Sequence, residues 1–157
     1  MSLRAQRLHE VAESQVAQLA ELLAGLGDAG LGRPCPGRAR LGDGSVAAVA
    51  LLATGSYEQI GEFVTAARTG IAPRQTDRHR ELHSATAMTV DALVARLHAA
   101  REALTPIAQL SDDELDSVPD AGEMKFADGT RTFEQIIASL LRHQRHQVDA
   151  LAAAAAA

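Results

Sequence analysis

The sequence predicts an all-helical protein, a four-helix bundle with antiparallel neighbours. Three observations predict it. Apolar residues recur at three- and four-residue spacing over long stretches. Hydrophobic residues make up 46% of the chain but aromatics only 3%, with no Trp. The core must therefore be built from Leu, Val, Ile and Ala, and with this much Ala such a set favours helix over sheet. Capping residues and Gly/Pro-rich breaks then divide the chain into helix-length segments. At 157 residues the whole chain, 1–157, reads as one domain. That is long enough to bury a core without disulfides or a structural metal.

The first helix is expected from about Leu3 to Leu26. Leu8, Val11, Ala12, Leu19, Leu22, Leu23 and Leu26 form its apolar stripe, and Gly27 ends it. A Gly/Pro-rich loop follows from Gly30 to Gly44, and its Pro34-Cys35-Pro36-Gly37 cannot be helical. Ser45 is a good N-cap for a second helix over Val46 to Ala67, closed by Gly70 and Pro73. Gly55 and Gly61 weaken this helix and allow close helix contact. The stretch Arg74 to Leu82 is highly charged, as loop or as the start of a helix. Thr89 caps a third helix through Leu104, which Pro106 kinks or ends. Ser111-Asp112-Asp113-Glu114 is a capping box for a short turn. Pro119 to Gly129 is irregular. Thr132-Phe133-Glu134-Gln135 is a second capping box and opens the clearest helix, which reaches at least Leu151. Its buried stripe is expected from Ile136, Ile137, Leu140, Leu141, Val148 and Leu151. No internal repeat is visible, and the alanines from Ala152 to Ala157 carry no functional weight.

Net charge is −5, and no basic stripe or aromatic platform stands out, so no nucleic-acid partner is expected. The longest apolar stretch, Val46 to Ala53, is too short to span a bilayer, so no membrane partner is expected. One cysteine, Cys35, excludes an intramolecular disulfide and fits a reducing compartment. No signal-peptide core follows the N-terminus. The expected location is cytoplasmic.

Six histidines invite a metal argument. His143 lies three residues after Leu140 and seven after Ile136, so it is expected to point toward the apolar stripe. His146 follows one turn later, and residues at i and i+3 sit on neighbouring rows of a helix. Both imidazoles could converge on one ion inside a bundle. Neutral imidazole suits zinc, nickel, copper or iron. The bland alternative makes His143 a hydrogen-bonded core histidine and His146 a half-exposed one.

Pro34-Cys35-Pro36-Gly37-Arg38 and Leu41-Gly42-Asp43-Gly44-Ser45-Val46, leading into the second helix, carry a resemblance. So do Phe126-Ala127-Asp128-Gly129-Thr130-Arg131-Thr132 and Leu140-Leu141-Arg142-His143-Gln144-Arg145-His146-Gln147. Together they resemble the DinB/YfiT-like superfamily, which includes the N-terminal domain of mycothiol-dependent maleylpyruvate isomerase. The resemblance implies a DinB-like bundle, often a homodimer. It implies one divalent metal (zinc, nickel or iron) held by three histidines, one from helix two and two from the last helix. It also implies a small-molecule substrate and a low-molecular-weight thiol cofactor, in a thiol-dependent S-transferase or isomerase reaction. A bound dication would stabilise the thiolate.

The chain departs from that pattern. The helix-two histidine falls at Leu52, which cannot bind a metal. The last helix has His143 and His146 where many relatives have His-x-x-x-His, and Gln147 occupies the fourth position. His79 and His83 are spaced for one helix face and are candidate replacements, against the alternative that they are solvated. Glu58 and Glu62 could supply a carboxylate, though a solvated face explains them as well. His9 and His98 are expected at the surface or boundary, and Cys35 as an inert packing residue. The function expected is therefore a DinB-like metal-dependent enzyme with His143 and His146 as ligands. The alternative is a degenerate bundle without the metal, binding a small molecule or dimerising.

Overall fold

The computed structural model describes residues 1–70, 85–122 and 126–157. Among these the chain is all-helical. Helix α1 spans Leu3–Leu31, capped by the Ser2 hydroxyl, which accepts the Ala5 N–H at 3.1 Å. The break expected at Gly27 is present as a kink. Gly27 takes φ 65° and ψ 175°, a combination that suits glycine, and the chain then re-enters helix as far as Leu31. Helix α2 spans Val46–Thr69. Ser45 caps it as expected, accepting the Ala48 N–H at 3.1 Å, and Gly70 closes it. Helix α3, Val90–Leu104, starts at the expected Thr89 cap. Pro106 turns its end into a 3-10 segment, Thr105–Gln109. Helix α4 is the short Asp112–Asp116, and helix α5 spans Phe133–Ala156. Both open on the capping boxes legible in the sequence.

Helix α1 packs on α3 and α5, and α2 packs on the same two, while α1 and α2 barely meet. Paired residues give the directions. Gln15 and Gln18 of α1 meet Leu141 and Arg145 of α5, so these helices run parallel. Asp28 meets Val90, and Glu13 meets Arg101, so α3 runs against α1. Glu58 meets Arg96, and Gly61 meets Ala103, so α2 and α3 run parallel. Ala53 meets Gln144, and Phe63 meets Phe133, so α5 runs against α2. The expectation of antiparallel neighbours is thus corrected for two of the four packed pairs. The physical reason is connection length: residues 32–45 are long enough to carry the chain across the assembly, so α2 need not lie beside α1.

The core is aliphatic, as the composition required. Leu19, Leu23, Leu93, Leu97, Leu104, Ile107, Ile136 and Leu151 are all fully buried. Each such side chain contributes about 1.5–3 kcal/mol relative to exposure. The three phenylalanines gather at one end. Phe63 lies 5.2 Å from Phe133 and 5.5 Å, edge-on, from Phe126.

Candidate metal centre on the last helix

The inward face of α5 reads Ile137, Leu141, Gln144, Val148 and Leu151, all buried. These positions advance by four, three, four and three residues, a strip along one side of the helix. His143 falls one residue off that strip, a rotation of roughly 100°. Both His143 and His146 are exposed. The expectation that His143 points toward the apolar stripe is therefore overturned. Spacing from Ile136 and Leu140 places it at the stripe's edge, and Leu140 itself is only half-buried.

Gln144 occupies the interior position instead. It is 4% exposed, and its Nε2 donates to the Ala53 carbonyl of α2 at 2.8 Å. A second bridge lies nearby. The Tyr57 hydroxyl donates to Gln15 Oε1 at 2.9 Å, and Gln15 Nε2 donates to the Leu141 carbonyl at 3.1 Å. Burial pushes the Tyr57 phenol well above its ordinary pKa, so it stays a neutral donor. Thr54, also buried, donates to Ala50 O at 2.8 Å. Gln15, Thr54, Tyr57 and Gln144 thus satisfy one another or the backbone, as buried polar groups must. One signal for Gln144 was legible: the four-three spacing from Ile137 through Leu151 runs through it. Gln15 sits in the same way on the α1 stripe, between Ala12 and Leu19.

Leu52 is half-buried on α2 beside Ala53. It lies on a helix that packs against α5, as expected, but brings no ligand atom. The other candidates lie apart. His79 and His83 fall outside the described residues. His98 is exposed. His9 is half-buried, with Nε2 3.5 Å from Glu13 Oε1. Glu58 is committed to Arg96 at 2.7 Å, and Glu62 is half-buried on the same helix. Among the described residues no three His, Cys, Asp or Glu side chains come together as a metal-holding group.

The loop before α2 is fastened to the other side of α5. Cys35 N donates to Gly44 O at 2.8 Å, and Val46 N to Arg33 O at 2.8 Å, closing the loop on itself. Cys35 is buried, with Sγ 3.7 Å from the Ala150 carbonyl. Burial pushes its thiol pKa up, against the pull of the Arg38 charge, which fits a packing cysteine. Arg38 reaches across to α5. Its Nε donates to Gln147 Oε1 at 3.0 Å, and one Nη to the His146 carbonyl at 3.5 Å.

No helix among the described residues is long and apolar enough to cross a membrane. Comparison with protein-family models, with curated proteins and with solved structures finds no match for this chain.

Proposed function

We propose that the chain is a DinB-like four-helix bundle, running up-down-down-up, that works as a small-molecule-binding protein without the resident metal of that superfamily. One observation carries the reading. Where a three-histidine centre would need ligands from α2 and α5 to converge, Leu52 stands on α2. The α5 residue facing α2 is Gln144, already bonded to Ala53 O at 2.8 Å. The residues present do not fit that centre, and no catalytic step is derived through a metal. With Gln15, Thr54, Tyr57 and Gln144 engaged by one another or by backbone carbonyls, recognition in this reading falls to the outer surface of the bundle. The assembled unit in this reading is a homodimer, at twice the chain mass of 16.5 kDa.

A second reading is favoured by the shared exposure of His143 and His146 at i, i+3 spacing. Here the pair would hold a divalent metal (zinc, nickel or iron) open to an outside thiol, in a metal-dependent S-transferase or isomerase. Two protein ligands are fewer than structural or catalytic zinc sites use.

Metal analysis separates the two. Protein prepared without a histidine tag and without chelator is assayed for zinc, nickel and iron. The first reading expects far less than one metal per chain, unchanged in His143→Ala. Close to one metal per chain, lost in His143→Ala, would replace it with the second.

A further inference from the structure

Arg38 differs from every other hydrogen-bonded arginine among the described residues. Arg4, Arg68, Arg96, Arg101, Arg131 and Arg145 each stand within salt-bridge distance of a carboxylate. Arg38 is fixed by three acceptors, and all are neutral. They are Gln147 Oε1 at 3.0 Å, Gly37 O at 3.2 Å and His146 O at 3.5 Å. The side chain is half-buried. A cation drawn partly out of water and held in place without a counter-charge is costly unless an anion completes it. Two of its five N–H groups remain undirected.

Helix α5 carries further polar groups along the same stretch. Arg142 is exposed and meets no partner among the described residues. His143 and His146 are exposed on the same helix. The nearest acid along the helix, Asp149, lies 3.7 Å from Arg145. On the loop, Asp43 accepts from the Ser45 N–H at 3.0 Å.

We infer that Arg38 anchors an oxyanion-binding site at the seam between its loop and α5, which takes the carboxylate or phosphate of a small-molecule ligand. Arg38 is the anchor, because its guanidinium is already held in place and loses little freedom on binding. The inference deepens the small-molecule reading above. The two fail separately, because metal content tests that reading and anion titration tests this one.

The test uses the full chain, freed of metal on a chelating resin, titrated separately with inorganic phosphate and with succinate. Binding is followed by calorimetry and by the NMR resonance of the Arg38 Nε–H. Saturable binding of at least one anion is expected, and the one that binds identifies the ligand's headgroup. Arg38→Gln is expected to weaken it tenfold or more, about 1.4 kcal/mol. Arg38→Lys should keep part of the affinity. Arg33→Gln, an exposed arginine of the same loop, should change nothing. Should Arg38→Gln loosen the loop, the Arg38 resonance of the native chain decides alone. No saturable binding of either anion, an unmoved Arg38 resonance, or wild-type affinity in a folded Arg38→Gln would overturn the inference.

Discussion

Tyr57 and Gln15 illustrate how a few polar atoms specify an otherwise aliphatic interior. The phenol donates to Gln15, and Gln15 in turn donates to the backbone of α5. Removing the hydroxyl leaves Gln15 Oε1 buried without its donor, which costs roughly 1–3 kcal/mol. Tyr57→Phe is therefore expected to lower unfolding free energy by that amount in urea titration. A neutral result would mean that Gln15 finds another partner. Cys35 gives a second expectation at this scale. Its burial beside Ala150 should make it slow toward a thiol reagent in the native chain and fast in denaturant. Equal rates would show that the loop opens freely. Much at this scale was not legible in the sequence. His143 and Gln144 are adjacent, and both sit near an apolar stripe. The four-three spacing from Ile137 to Leu151 favours Gln144, and its bond to Ala53 of α2 fixes it inward. Arg38 looked like one arginine among many, because its lack of a counter-charge depends on contacts more than a hundred residues away.

Helix starts were legible because they are local chemistry. Ser45, Thr89, Ser111 and Thr132 cap where their side chains predict, each accepting an N–H from the first turn. Ends were less so: α1 runs past Gly27 through a kink, since tertiary packing rewards the extra turn at Leu31. Helix contact gives a paired expectation. A Cβ at Gly61 would stand 2.5 Å from the Ala103 carbonyl, so α2 and α3 would have to separate. Gly61→Ala should destabilise by about 1–3 kcal/mol, the usual range for overpacking. Gly25 lies on α1 with open space where a Cβ would go. Gly25→Ala should therefore stabilise by up to about 1 kcal/mol through helix propensity. Thermal melting of the two variants in opposite directions is the check.

One arginine ties the start of α1 to α4 and to the start of α5. Arg4 of α1 lies 2.6 Å from Asp116 of α4 and 3.0 Å from Glu134 of α5. Hydrogen bonding to Arg4 holds the Asp116 carboxyl below its ordinary range. A depressed carboxylate pKa contributes stability above the unfolded value, about 3.9, and loses it as pH falls through the folded value. Arg4→Met should thus be less stable than the parent at neutral pH, and the gap should close below about pH 4. A gap independent of pH would mean that the pair contributes through packing alone.

At the scale of the molecule, the aliphatic composition and helical spacing made the all-helical class legible. The arrangement of the helices was not, because neighbours and directions depend on where a long connection lets the chain cross. That arrangement decides the functional question. It turns Gln144 toward α2 and leaves His143 and His146 outside. Histidine carbethoxylation, read by mass spectrometry on the native chain, tests this most directly. Both imidazoles are expected to react at close to their rate in denaturant. Strong protection of the two together, relieved only by unfolding or by stripping a metal, would contradict the account.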